Sequence, residues 1–533
     1  MNTIQSVGLC AIGIAALGLA ACSGNRTSSE SSPSISAATM TRIGTVDERF
    51  QSYNIEMLEV TGGDFWKPYA TTQPAGSQAA AANSNVPAGM NPNMYQYRPP
   101  IDLSNSRRRK LAAALGPAYV RVSGTWANTT YFFDAAGSAP KKPPTGFNGV
   151  LTRQQWKGVI DFAGAVDAKL VTSFATSMGT RDASGAWTPK EASKVLAYTK
   201  SAGGDIAAAE FMNEPTIAQM GGAPKGYDAA AYGRDLSVFR PFIKKTAPNL
   251  MILGPGPVGE GGNLTLPPGM LRTEDLLKAA APSFDVFSYH FYGAVSKRCA
   301  QFGANSLTSE DAALSTQWLS RTDTVETFYS ALRDKFMPGK SMWITETAES
   351  ACGGNPWAST FLDSFRYLNQ LGTLAQRSVQ VVMHNTLDAS DYGLLDENTL
   401  QPRPNYWAAV LWRRLMGTTV LNSGGSIGPD LHLYAHCLHG HPGGVAILAI
   451  NASSNPSQSF EIPANSELYI LTAPQLTSSS VELNGNELRL SADDSLPQLN
   501  GVRAESKNLI FPPASITFLA VSDAQNPACG PSH

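Results

Sequence analysis

The 533-residue chain has almost no net charge, with Lys+Arg 40 against Asp+Glu 42. Proteins that hold nucleic acid or an anionic membrane through their overall field need an excess of cations, so those classes are excluded. No internal stretch reaches the roughly 18 apolar residues of a membrane-spanning helix. Cysteine is scarce, six in all. There is no CxxC pattern, and the one His/Cys cluster, His436, Cys437, His439 and His441, lacks a second ligand pair, so no metal site is expected. Repeats at solenoid periods are also missing. What is present fits a globular chain: 43% hydrophobic and 15% charged residues. That length allows two or more domains with substantial cores.

The N-terminus differs from the rest. "SVGLCAIGIAALGLAAC" is too short and too rich in Ala and Gly for a stable span, and reads as a secretory signal over residues 1–21. Leu19-Ala20-Ala21-Cys22 resembles the lipobox of bacterial lipoproteins, which implies a lipidated Cys22 and a chain exported to a membrane facing the periplasm or cell surface. The segment before it departs from the usual leader in having no Lys or Arg. A Ser-rich tether follows, within residues 22–42. With Cys10 and Cys22 set aside, four cysteines remain. An even number in an exported chain suggests two disulfides, with three possible pairings.

Eight short β-rich runs occupy residues 50–390: "SYNIEML", "AYVRVSG", "KLVTSFAT", "IAAAEFM", "LMILGPG", "FDVFSYHF", "SMWITET" and "VQVVMHN". Most are continuously apolar, as in parallel strands buried on both faces. Segments with helical spacing lie between them, among them 153–168, 227–245 and 359–376. Strand–helix alternation of this kind predicts a (β/α)8 barrel over residues 43–417, with a long loop at 61–105 after the first strand. From residue 418 short strands separated by turn residues predict an antiparallel β-sandwich to residue 533. Cys437 and Cys529 fall on its early and last strands and are paired on that ground. This leaves Cys299 with Cys352, just beyond the sixth and seventh barrel strands.

Two apolar runs end on carboxylates. "AEFMNEPT" carries Glu214 at the end of the fourth strand, and "SMWITETAES" carries Glu346 at the end of the seventh. A glutamate there is costly unless it faces a cleft or a partner. The C-terminal ends of barrel strands form the active-site face. Two carboxylates facing each other across it are what glycoside hydrolysis needs. Asn213 offers an amide to the sugar 2-hydroxyl.

"YVRVSGT", "FSYHFYG", "WITETAESACGG", "VVMHN" and "DYGLLDENTLQPRPNYWAAVLWRRLMGTTVL" resemble glycoside hydrolase family 79, the heparanase and β-glucuronidase family. The resemblance runs from about residue 45 to the C-terminus. It implies Glu214 as general acid/base and Glu346 as nucleophile. Asn213 would bind the 2-hydroxyl and Glu56 other sugar hydroxyls. His290 and Tyr292 would flank the nucleophile, with Asn385 in the same subsite. Gly353, Gly354 and Tyr392 would read the uronate carboxylate through backbone N–H groups and a phenol. Cys437 and Cys529 match the family's disulfide.

The family often has tyrosine where this chain has Ala351, and heparanases are basic where it has "GPGPVGEGGN" with Glu260. Lys297 and Arg298 are the only obvious basic pair near the mouth, and "RRRK" (107–110) reads as the exposed start of a helix. The expected protein is therefore a retaining exo-β-glucuronidase on a (β/α)8 barrel. It needs no cofactor, is monomeric, and acts on carbohydrate bearing β-linked glucuronic acid, touching a membrane only through a lipid at Cys22. The alternatives are an endo-acting heparanase-like enzyme, a hydrolase for a neutral β-sugar, and a non-catalytic carbohydrate-binding lipoprotein.

Overall fold

The computed structural model describes residues 33–69, 86–87, 89–262, 269–281, 284–302, 308–424 and 428–530. The leader, Cys22, the start of the tether and residues 70–85 of the long loop lie outside the described residues.

Eight parallel strands close into a barrel: β1 (Gln51–Glu56), β2 (Ala118–Ser123), β3 (Ala168–Ser173), β4 (Ile206–Glu210), β5 (Met251–Pro255), β6 (Val286–Val295), β7 (Met342–Ala351) and β8 (Val381–His384). Closure is by β8 on β1, with Val382 opposite Gln51 and His384 opposite Tyr53. All eight predicted runs are strands of this barrel. β1, β2 and β6 are buried along their whole length, which explains why their sequences do not alternate. The helix Arg153–Ala165 buries Trp156, Val159, Ile160 and Ala163 at helical spacing, and a capping box between Thr152 and Gln155 starts it.

Beyond the barrel lies an antiparallel nine-stranded sheet. Its centre runs Met416–Leu421, Leu431–Leu438, Val445–Asn451, Ser515–Val521 and Glu467–Thr472, in that spatial order. A two-stranded ribbon, Ser459–Glu461 with Asn508–Ile510, stands apart from it. Phe460 and Phe511 of the ribbon region pack with Leu433, Ile447 and Leu519 of the sheet. The strand Arg42–Thr45 pairs with Met416–Leu421, so these residues belong to the C-terminal sheet and not to the barrel. The helix Phe361–Gln376 is buried almost all round because it lies between barrel and sheet. Tyr434 of the sheet lays its ring over Gly372, where any Cβ would overlap it, and its hydroxyl donates to Asn369 Oδ1 at 2.6 Å. The helical glycine, costly in isolation, is thus what lets the two units meet.

Both predicted disulfides are formed, Cys299–Cys352 and Cys437–Cys529. His436 Nδ1 donates to the Gly417 carbonyl and is buried, whereas His439 and His441 are exposed.

Candidate active site

The barrel interior changes character from bottom to top. Tyr119, Ala208 and Val286 form part of an apolar floor on β2, β4 and β6. Two residues further along the same strands, the period-2 alternation turns Arg121, Glu210 and Ser288 into the barrel. Arg121, 1% exposed, donates through Nη2 to Oε2 of Glu210 at 2.9 Å and through Nη1 to Oε2 of Glu346 at 2.9 Å. Ser288 Oγ and Thr345 Oγ1 donate to the other oxygen of Glu210 at 2.8 and 2.7 Å. Burial pushes the Glu210 carboxyl up, but Arg121, His290 and Thr345 outweigh it and hold it far below the usual range.

Glu346 is placed by an irregularity in β7. The register against β6 pairs Ile344 with Tyr289 but Glu346 with His290, so Thr345 is an extra residue. Such a bulge re-aims the side chains around it. Consecutive residues, Thr345 and Glu346, both reach inward as a result, one to Glu210 and the other into the cleft. The free oxygen of Glu346 accepts from the Tyr292 hydroxyl at 2.6 Å.

Glu214 does not end β4. The strand stops at Glu210, and Glu214 lies four residues on, in the left-handed conformation at φ 49° and ψ 63°. The apolar residues between are core: Phe211 packs on Trp187, Phe239 and Tyr232. Pro215 disfavours the right-handed helical region for the residue before it. A non-glycine residue at positive φ costs on the order of 1–3 kcal/mol and clusters at functional sites. Here it aims the carboxylate at the cleft. Burial raises the Glu214 carboxyl above its ordinary value. A hydrogen bond from His290 opposes this, and the charge of Glu346 reinforces it.

His290 Nδ1 lies 3.2 Å from Glu214 Oε1 and 3.7 Å from Glu346 Oε2, between the two carboxylates. Burial alone would depress the imidazole, but Glu346, Glu210 and Glu214 together hold it at about 9. Its Nε2 faces Arg121 Nη2 at 3.3 Å, a contact in which the ring nitrogen must accept, so this contact competes with full protonation. Oxygens of Glu214 and Glu346 and a His290 nitrogen all lie within 4.8 Å of one another. That is a ligand-like triad, but Arg121 already occupies the inner oxygen of Glu346.

The other expected residues surround this pair. Asn213 receives the Arg121 Nη2–H on Oδ1 at 2.6 Å, and its backbone is held at both N–H and C=O by Asn128, each at 2.9 Å. Its Nδ2 is buried with no protein partner, which leaves a donor for a ligand. Asn385 donates to Glu56 Oε1 at 3.1 Å, to the Tyr292 hydroxyl at 3.1 Å and to the Tyr392 hydroxyl at 3.2 Å. Burial, then the charge of Glu346, raises Glu56 well above the carboxylate range. Burial and neighbouring carboxylates also keep the phenols of Tyr292 and Tyr392 neutral. Gly353 and Gly354 have φ 82° and 85°. A Cβ on Gly353 would press on Ser390 and Trp66, and one on Gly354 on Tyr392, so both stand directly behind the cleft wall that Cys352 and Tyr392 form.

Of the basic pair near the mouth, Lys297 is exposed and Arg298 is paired. Arg298 bonds Asp391 at 2.6 Å and lies over the Tyr69 ring at 4.0 Å. In "RRRK", Arg107 pairs with Asp494 and Lys110 with Asp493, while Arg108 is buried against Asp388. The helix there is Ser106–Ala113 as expected, but its arginine 108 is not exposed. Glu260 is buried and accepts from Thr273 N–H at 2.7 Å.

Sequence reasoning missed Arg121, Glu210, Asn128 and the cleft aromatics Trp66, Tyr95 and Trp126. A signal for the first two existed: an arginine and a glutamate each sit inside an otherwise apolar strand, where neither is tolerated without the other.

Residues 102–372, just over half of the chain, match the model of the N-terminal domain of glycosyl hydrolase family 79. The chain is 26% identical to heparanase-like protein 1 of Arabidopsis thaliana, over 80% of this chain and 86% of that one. It is 25% identical to hyaluronoglucuronidase of Hirudo nipponia, over 80% and 92%. A solved family 51 arabinofuranosidase from Xanthomonas axonopodis pv. citri superposes with a TM-score of 0.56 at 18% identity, over 90% of this chain and 98% of that one, and shares the fold. With Glu214 and Glu346 facing each other at the open end of the barrel and the family model spanning the strands that carry them, the chain belongs to glycoside hydrolase family 79 and is a glycoside hydrolase.

Proposed function

We propose that this glycosidase is a retaining, exo-acting β-glucuronidase. The observation that carries this is the asymmetry of the carboxylate pair. Glu346 accepts from a guanidinium on one oxygen and from a phenol on the other, which fixes its carboxylate in the cleft. Glu214 is buried with its carboxyl raised, which favours the protonated form. A nucleophile and an acid are thereby assigned by environment. Glu346 attacks the anomeric carbon while Glu214 gives its proton to the leaving oxygen. Glu214 then takes a proton from the water that releases the sugar. Carboxylate oxygens within 4.8 Å suit the ~5–5.5 Å spacing of retaining enzymes better than the ~6.5–9.5 Å of inverting ones.

Three features support a uronate in the sugar site. They are the two neutral phenols of Tyr292 and Tyr392, the raised carboxyl of Glu56, and a relative named for glucuronide cleavage. Export and a lipid anchor at Cys22 belong to the same proposal, and two disulfides suit an oxidising compartment. Radiolabelled palmitate incorporated by the full chain and lost in Cys22→Ser would support the anchor; equal labelling of both would end it.

The test of activity is nitrophenol release from an aryl β-D-glucuronide beside the matched β-glucoside and the Glu346→Gln variant. Turnover of the glucuronide that disappears in the variant supports the reading. Turnover of the glucoside alone overturns it, and cleavage confined to internal bonds of a glucuronate-containing polysaccharide replaces exo with endo action.

A further inference from the structure

The cleft above the carboxylates has walls of an unexpected kind for a carbohydrate enzyme with a polyanionic substrate. Its empty space, open mouth included, is about 940 Å³. Among its lining residues are Trp66, Tyr95, Trp126, Met220, Met270 and Phe302. Trp66 stacks on Tyr95 with ring centroids 4.5 Å apart and planes at 28°. Both meet Trp126 edge-on at 6.4 Å. This platform is built, not incidental. Trp66 and Tyr95 are register partners in a two-stranded ribbon, Gly63–Trp66 with Tyr95–Arg98, that brackets the long loop after β1. Arg98 of the ribbon is anchored to Glu397 at 3.3 Å.

A further part of the lining follows the acid in sequence. Ile217 and Met220 follow Glu214 closely in the chain and line the same cleft, and Met220 packs against the cluster that holds Tyr95 and Trp126. Trp66, Met220, Met270 and Phe302 remain partly exposed to solvent. Apolar side chains in such a place gain from covering a ring, and tryptophan faces and methionine thioethers favour aromatic partners.

Charge argues the same way. The acidic residues lining the cleft are Glu56, Glu214 and Glu346, and no lysine or arginine is among the described lining residues. Arg298 is held by Asp391. The stretches 70–88, 263–268 and 303–307 contain no charged residue at all. Lys297, exposed beside the lining residue Val295, is the cation left near the mouth, and a sulfated or uronate-rich chain lying in the cleft would bring its anions against carboxylates with no cationic side chain in the described lining.

We propose that the leaving-group side of the cleft is a subsite for a planar apolar aglycone, an aryl or fused-ring group, in place of a further charged sugar. The inference rests on the glucuronidase reading and names its substrate class: glucuronides of aromatic alcohols. The bond broken is the one between the anomeric carbon and the aglycone oxygen. The aglycone leaves as the neutral alcohol after taking the Glu214 proton.

The test uses the full chain carrying Glu346→Gln, which cannot turn over, and measures binding by calorimetry. The probes are methyl β-D-glucuronide, 2-naphthyl β-D-glucuronide, a glucuronate β-linked to a sulfated hexosamine, and the methyl and naphthyl β-glucosides. The naphthyl glucuronide is expected to bind at least about tenfold tighter than the methyl one. Most of that gain should vanish on adding Trp66→Ala or, elsewhere in the lining, Met220→Ser with Met270→Ser. Equal binding of the naphthyl and methyl glucuronides, or tighter binding of the sulfated disaccharide, overturns the inference and leaves the glucuronidase reading standing. If the glucosides bind and no glucuronide does, the glucuronidase reading fails, and the aglycone subsite is then judged on the naphthyl-to-methyl ratio of the glucosides.

Discussion

One guanidinium, that of Arg121, touches both Glu346 and Glu210, at 2.9 Å each. The residue on β2 thus ties Glu346 to a carboxylate that is almost wholly buried. Removing one partner of a buried ion pair strands the other charge, at a cost of about 3–5 kcal/mol. Arg121→Met is expected to lower the melting temperature markedly and abolish turnover. Arg121→Lys keeps the charge but loses the fork. It should recover most of the stability while kcat stays about 100-fold down, the size of effect expected for one lost electrostatic contact at a reacting group. A lysine variant with normal kcat would show that only charge, and not bidentate placement, matters there.

His290 controls the acid by a sign that can be worked out. Its hydrogen bond and charge lower the Glu214 carboxyl, working against burial. In His290→Phe that restraint is gone, so Glu214 should hold its proton to higher pH. The basic limb of the kcat/KM profile, which reports loss of the acid's proton, should therefore move to higher pH. Stability has its own signature. The folded-state value of His290, about 9, lies above the ordinary imidazole value of 6.5. Its contribution is full below about pH 6.5 and is lost as pH rises towards 9. The gap in melting temperature between wild type and variant should accordingly be wider at pH 6 than at pH 9.5. A basic limb that moves down, or a gap that widens with pH, contradicts this account.

Much of this site was legible before any coordinates. The eight strands show as apolar runs because parallel strands are buried on both faces, and Glu214 and Glu346 stand out because each follows such a run. What was not legible is geometry of one or two residues. Nothing in "WITET" announces that Thr345 is an extra residue in β7, although that bulge is why Glu346 faces the cleft. Nothing in "AEFMNEPT" says that Glu210 ends the strand and Glu214 belongs to a left-handed turn. Of the two glutamates in that stretch, the sequence reading chose the one that lines the cleft by its Asn-Glu-Pro context and passed over the one that Arg121 holds. The aromatic platform escaped notice for another reason. Trp66 and Tyr95 are far apart in a segment rich in Ala, Asn and Pro, and only the ribbon pairing brings them together.

Gly124, just past β2, has φ 94°, and a Cβ there would overlap Oε2 of Glu56. Gly124→Ala should therefore cost roughly 1–3 kcal/mol from the backbone alone. It should also push Glu56 off Asn385, and misplacement of a substrate-holding group by about 1 Å can cost ~100-fold in rate. The prediction is a modest fall in melting temperature with a disproportionate fall in kcat/KM. Wild-type kcat/KM in a folded Gly124→Ala protein would remove Glu56 from the sugar site.

The two disulfides should separate into structural and functional ones. Cys437–Cys529 lies in the C-terminal sheet region, whereas Cys299–Cys352 joins the loops after β6 and β7 and Cys352 lines the cleft. Removing either is expected to cost about 2–4 kcal/mol, because each closes a long loop, 53 and 92 residues in sequence separation. Only the first should alter substrate handling. Its loop carries Arg298, whose bond to Asp391 and contact with Tyr69 fix the entrance of the long β1 loop. Cys299→Ser with Cys352→Ser should raise KM for the glucuronide at temperatures where the protein is still folded. Cys437→Ser with Cys529→Ser should lower the melting temperature and leave KM alone. Equal changes in KM for both pairs would mean that the disulfides act only through global stability and that the cleft wall does not depend on the Cys299–Cys352 link.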